Sequence, residues 1–102
     1  MSRLEQLKKL AATQPDDPFV LYGLALEHMQ LEQWDDARAA FDRTLAIDAT
    51  YSAAYFQKAR ALLKLGRRDE AAATLETGIA VASARGEAHT VSKMKELQES
   101  LA

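Results

Sequence analysis

Apolar and polar positions along this chain recur at helical rather than strand spacing, and they predict six amphipathic helices in succession. In the first, Leu4, Leu7 and Ala11 lie at i, i+3 and i+7 with Leu10 beside them, giving one stripe from about Ser2 to Thr13. Ser2 and Glu5 have capping-box spacing at its start. Pro15 and Pro18 stop it, because proline disfavours helix for the residue before it. Asp17 then reads as the N-cap of a second helix, with Pro18 in a first turn where its missing N–H does no harm. That helix reaches about Leu31, and Leu21, Leu24, Ala25 and His28 share a face. A third runs from near Trp34 to about Ile47 with Ala37, Phe41, Thr44 and Leu45 together. A fourth runs from about Ser52 to Leu65 and ends at Gly66. A fifth covers about Asp69 to Ala84 with Ala71, Leu75, Gly78, Ile79 and Ala82 inward, and Gly86 as its stop. A sixth covers Glu87 to Leu101 with Val91, Met94, Leu97 and Leu101 as its stripe. Links of a few residues force antiparallel neighbours, and no polar linker divides the chain, so one all-α domain over residues 1–102 is expected.

The chain also echoes itself at an offset of 34 residues. Ala25, Leu31, Asp35, Ala37, Ala39 and Ala46 reappear as Ala59, Leu65, Asp69, Ala71, Ala73 and Ala80. Tyr22/Phe56, Phe41/Leu75 and Leu45/Ile79 keep their character at the same offset. The retained positions are small or apolar and fall at helical spacing, which is the signature of a stacked helical repeat. Small residues at Ala25, Ala37, Ala59, Ala71 and Gly78 let helix backbones approach, and Leu21, Phe41, Tyr55 and Leu75 fill the gaps between them.

On these residues the chain resembles the tetratricopeptide repeat family, whose pattern is W-x2-L-G-x2-Y, then A-x3-F, then P. Leu21, Leu24, Ala25, His28, Ala37, Phe41 and Ala49 occupy those places in a first repeat, and Tyr55, Lys58, Ala59, Leu62, Ala71, Leu75 and Ser83 in a second. Glu32 stands in the inter-helix turn where Gly66 stands one repeat later. The resemblance implies antiparallel helix-turn-helix units stacked as a short right-handed α-solenoid. Residues 1–17 form a half-repeat helix, 18–51 and 52–85 the two repeats, and 86–102 a capping helix. It also implies a concave surface lined by the first helix of each pair: Phe19, Tyr22, Leu26 and Gln30 from one repeat, and Ala53, Phe56, Gln57, Arg60 and Lys64 from the next. Tyr22 and Phe56 are open to two readings, groove contact or packing against a neighbouring helix. Phe19 is expected to be partly buried. Tyr22 and Leu26 stand where the family's carboxylate clamp would have Lys and Asn, so that clamp is not expected.

Charge refines the picture. The chain has 13 Lys and Arg against 15 Asp and Glu, an acidic balance that argues against nucleic acid as a partner. Six acids and no base lie between Leu10 and Ala37, and five bases (Lys58, Arg60, Lys64, Arg67, Arg68) and no acid between Ala49 and Arg68. Ordinary solvated surface would account for this. So would steering, in which an acidic segment docks on the fourth helix or two copies associate acidic-to-basic. Lys58, at an apolar packing position, must snorkel or meet a carboxylate.

Chemistry is sparsely represented. Without cysteine there is no disulfide or thiolate metal site. The start of the chain has no apolar h-region and no window approaches 18 apolar residues, so a cytoplasmic chain with no membrane span is expected. His28 reads as a half-buried packing histidine and His89 as a surface one. Asp16-Asp17 and Asp35-Asp36 suit helix N-termini. No phosphate loop or zinc spacing appears, so neither an enzyme nor a bound cofactor or metal is expected. The leading expectation is a protein- or peptide-binding module, and the alternative is a homo-oligomerising assembly module, for instance a homodimer.

Overall fold

The computed structural model describes residues Met1–Leu101. Six helices follow one another: α1 (Arg3–Thr13), α2 (Pro18–Gln30), α3 (Trp34–Ile47), α4 (Ser52–Lys64), α5 (Arg68–Ala84) and α6 (Ala88–Glu99), with no strand among the described residues. Each expected helix is present, and the ends agree to within a residue or two. The two N-caps expected from sequence form. The Ser2 hydroxyl accepts from the Glu5 N–H at 3.1 Å, and Asp17 Oδ1 accepts from the Phe19 N–H at 3.0 Å. The other four helices have no side-chain cap. In α3 and α5, acids in the first turn (Asp35 and Asp36, Asp69 and Glu70) meet the positive helix end instead.

Three turns bend through the left-handed region: Glu32 at φ 57°, Gly66 at φ 76° and Gly86 at φ 73°. Glycine accepts this conformation freely and glutamate does not. Glu32 is held there because the turn around it closes two bonds, Glu32 N–H to Met29 O at 3.0 Å and Gln33 N–H to His28 O at 2.9 Å.

The helices pack in chain order, α1 on α2, α2 on α3, and so on to α5 on α6. One core gathers Leu21, Ala25, Ala37 and Phe41 with Leu4 and Leu7 of α1 against it. The second gathers Ala59, Leu62, Ala71, Leu75 and Met94, and Leu45 packs on both. Leu10 lies off the α1 stripe and stays exposed. The small residues sit where helices meet most closely: Ala25, Ala37, Ala59 and Ala71 are all fully buried. Gly78 is the tightest case. A Cβ there would lie 2.5 Å from the Tyr55 Cβ and 2.7 Å from the Met94 Sδ, so α5 is pressed between α4 and α6 at this point. Thr44, at the same place one repeat earlier, is fully buried and donates its hydroxyl to Ala40 O at 2.9 Å.

Two outcomes are expected. Ala71→Leu and Ala37→Leu should each cost about 1–3 kcal/mol through overpacking, read as a lower denaturation midpoint. Gly78→Ala should also lower Tm, although alanine is the better helix former by about 1 kcal/mol. A Tm shift below about a degree in all three would count against this packing. Conversely, Glu32→Gly should raise stability by up to about 1 kcal/mol by relieving the left-handed residue, and a lower Tm would contradict that.

Candidate functional site

A concave face follows from which helices touch. α2 meets α4, and α4 meets α6, whereas among the described residues no Cα of α1, α3 or α5 comes within 8 Å of another of those three. The even-numbered helices therefore converge on the inner side of the stack, and the odd-numbered ones splay on the outer side.

On α2, the face opposite buried Leu21 carries Phe19, Gly23, Leu26 and Gln30. Phe19 is 73% exposed, so the expectation of a partly buried ring is corrected. Two residues of a helix turn the chain by about 200°, which aims Phe19 away from the core that Leu21 enters. Tyr22 stands a quarter-turn from that core, and both readings of it contribute. Its ring packs 5.8 Å from Phe41 and 4.9 Å from Tyr51, yet it also borders an open recess. The phenol pKa is raised above its ordinary value, chiefly by burial and next by Tyr51, while a hydrogen bond with Gln57 opposes the shift.

On α4, Phe56 is half-buried and bracketed by cations. The Arg60 guanidinium lies 6.0 Å and the Lys93 Nζ 4.8 Å from its ring centre. Arg60 also donates to Gln57 Oε1 at 3.0 Å, and Lys64 Nζ lies 5.5 Å over Trp34. Tyr22, Ala53, Phe56 and Gln57 thus share a recess of about 100 Å³ with His89, Thr90 and Lys93 of α6. Leu26 and Gln30 belong to a separate hollow of about 470 Å³ beside Arg3 and Gly23. The surface expected from sequence is therefore divided in two. Arg60 and Lys64 stand exposed along α4.

The contribution of α6 was not foreseen from sequence, where that helix reads as a cap. The signal was Lys93, a long cation at a place where the repeat has a small residue. Lys58 meets a carboxylate as expected: its Nζ lies 2.6 Å from Asp42 Oδ1, and Asp42 also binds Arg38 at 2.7 Å. Arg67 is likewise engaged, with Glu70 at 2.8 Å, and this contact holds the Glu70 carboxyl below its ordinary pKa. Among the described residues Arg60, Lys64 and Lys93 form no ion pair, so the positive charge of α4 and α6 is presented on the inner face. His89 is exposed, as expected, whereas His28 is buried rather than half-buried. Among the described residues no three His, Cys, Asp or Glu side chains could hold a metal ion, and no helix is long and apolar enough to cross a membrane.

The three tyrosines give this region a measurable signature. Burial raises the Tyr51 and Tyr55 phenols as it does Tyr22, aided by the Asp48 charge and, for Tyr51, by Asp17. A raised folded-state pKa favours the neutral phenol in the fold. Its stabilisation is complete below the ordinary value of 10.0 and is lost as pH rises through the folded value. The midpoint of tyrosinate absorbance should therefore lie above pH 10.0 and accompany loss of helix. A phenol titrating below that value in the folded chain would refute this environment.

Residues 28–92 match a sequence profile described as Tetratricopeptide repeat. No curated protein matches the chain. Solved structures resemble it closely. A tetratricopeptide repeat domain protein from Salinibacter ruber shares 30% identity over 85% of this chain and 88% of its own, with a TM-score of 0.79. PcrH in complex with the chaperone binding region of PopD aligns at a TM-score of 0.91, with 18% identity over 96% of this chain and 74% of its own. The second TPR domain of human RPAP3, in complex with the HSP70 peptide SGPTIEEVD, aligns at 0.75, with 19% identity over 90% and 78%. The chain belongs to the tetratricopeptide repeat family.

Proposed function

We propose that this member of the family is a non-catalytic cytoplasmic module that holds an acidic protein or peptide segment against the inner face of α2, α4 and α6. The observation that carries this reading is the set of Arg60, Lys64 and Lys93, exposed on that face around Phe56 and Trp34 and without ion-pair partners among the described residues. Arg, Trp and Tyr are the residue types enriched at interface hot spots, and Arg60, Trp34 and Tyr22 supply them here. Desolvation under a bound segment strengthens the attraction of the cations for carboxylates. Tyr22, Phe56 and Gln57 form the floor of the recess between them, and Leu26 and Gln30 extend the contact along α2. Similar folds with bound segments support the assignment: PcrH with a region of PopD, and the RPAP3 domain with a peptide whose sequence contains three acids.

The peptide SGPTIEEVD serves as a probe. The double substitution Arg60→Glu with Lys64→Glu should weaken its binding by about tenfold or more, with helix content unchanged. Raising salt from about 0.05 M to about 0.5 M should weaken the unsubstituted chain's binding in the same direction. Equal affinity in the charge-reversed chain, or no binding at low salt, would overturn the proposal.

A further inference from the structure

On the outer side of the stack α1 and α3 are separated by a cleft of about 370 Å³. Its walls are short because Ala11 and Ala12 of α1 face Ala39 and Ala40 of α3, and its floor is Leu24 and His28 of α2. The same place one repeat later is filled. Thirty-four residues on, Ala11 becomes Leu45, which packs on both cores, and His28 becomes Leu62, which is fully buried. Leu24 and Lys8 become Lys58 and Asp42, whose ion pair at 2.6 Å spans the gap between α3 and α4. These four of the nine residues that line the cleft are thus replaced by different side chains one repeat later.

His28 is the second observation. It is only 6% exposed, yet it occupies a place where the next repeat carries leucine. Its Nδ1 lies 2.7 Å from Gln33 Oε1, an amide oxygen that accepts, so this contact occupies Nδ1 and leaves Nε2 for a second partner. No hydrogen bond reaches Nε2 among the described residues. No fully buried side-chain nitrogen or oxygen lacks a partner there, so Nε2 touches solvent, and the cleft is the opening that His28 lines. A ligand's donor there would replace water at a nitrogen whose ring is otherwise enclosed. At the rim stand Lys8 and Arg43, both exposed and neither in an ion pair among the described residues, against a single acid, Asp36.

We propose that this cleft is a second binding site, separate from the inner face, for a small organic acid: a carboxylate held by Lys8 and Arg43, an apolar body between the alanine walls, and an N–H or O–H donated to His28 Nε2. 4-Hydroxyphenylacetate, with a phenol at one end and a carboxylate at the other, carries these groups in one small molecule.

The test is a titration of the full chain with 4-hydroxyphenylacetate, followed through the methyl resonances of Ala11, Ala12 and Ala39 and the His28 ring protons. Saturable shifts confined to these groups are expected. Phenylacetate, which lacks the donor, and 4-methylphenol, which lacks the acid, should each bind about fivefold or more weakly. Ala11→Leu copies Leu45 and should abolish the shifts. Arg43→Glu, at an exposed position that does not endanger folding, should weaken binding at least about threefold. Absence of saturable shifts at the cleft, equal affinity for all three probes, or unchanged binding in Arg43→Glu would each overturn the proposal. The Arg43→Glu result decides alone if Ala11→Leu does not fold. Binding of SGPTIEEVD on the inner face is not required for any of these outcomes.

Discussion

Close approach of helix backbones at a few small residues is the constraint on which the rest of the structure depends. Helix axes come within about 8–10 Å only where the side chains between them are short. Here Ala25, Ala37, Ala59 and Ala71 are fully buried at the seams, and Gly78 leaves no room for even a Cβ. Leu21, Phe41, Leu62 and Leu75 then fill the spaces beside these contacts to complete burial. With each helix pressed on the one before it and joined by a turn of a few residues, the even-numbered helices have to converge. The inner face is a geometric consequence of where the alanines fall, and the side chains placed on it give it its chemistry.

Charge is sorted by the same geometry. The bases of α4 and the turn after it look like one block in the sequence, but the fold divides them by direction. Lys58 points to the outer side and is neutralised by Asp42, which Arg38 shares. Arg67 is engaged by Glu70 and lies 3.9 Å from Asp35. These partly exposed pairs contribute little stability individually. Their larger effect is to neutralise Lys58 and Arg67, while Lys8 and Arg43 stay unpaired at the outer cleft among the described residues. Arg60, Lys64 and Lys93 remain on the inner side, where aromatic rings rather than carboxylates are their neighbours.

The fold was legible because helical periodicity, caps and the 34-residue echo all point to the same architecture. The site was legible only where it depends on position along a single helix. Tyr22, Phe56 and Gln57 do meet in one recess, because equivalent residues on adjacent parallel helices face one another. Leu26 and Gln30 fall in a different hollow, beside Arg3 and Glu27, while Tyr22 packs toward Phe41 and Tyr51. The burial of Phe19 was misjudged because aromatic character says nothing about direction, and the helical turn places it opposite Leu21. Lys93 was missed for a different reason. Its partner is Phe56, 37 residues away, and no local pattern encodes a contact between helices of different repeats.

The two repeats also act as controls for each other. At the helix seams they agree (Ala25 with Ala59, Ala37 with Ala71, Phe41 with Leu75), the residues are buried, and packing explains them. Where they disagree, packing has left a choice. Leu26 against Arg60 makes one half of the inner face apolar and the other basic. Leu24 against Lys58 places the ion pair with Asp42 in one repeat and an open floor in the other. His28 against Leu62 puts a polar ring into a nearly buried position that leucine fills without penalty. A substitution that costs desolvation while the neighbouring repeat shows an apolar solution needs a compensating interaction. At His28 the Gln33 bond occupies Nδ1, and Nε2 reaches solvent, where a ligand's donor would take the place of water.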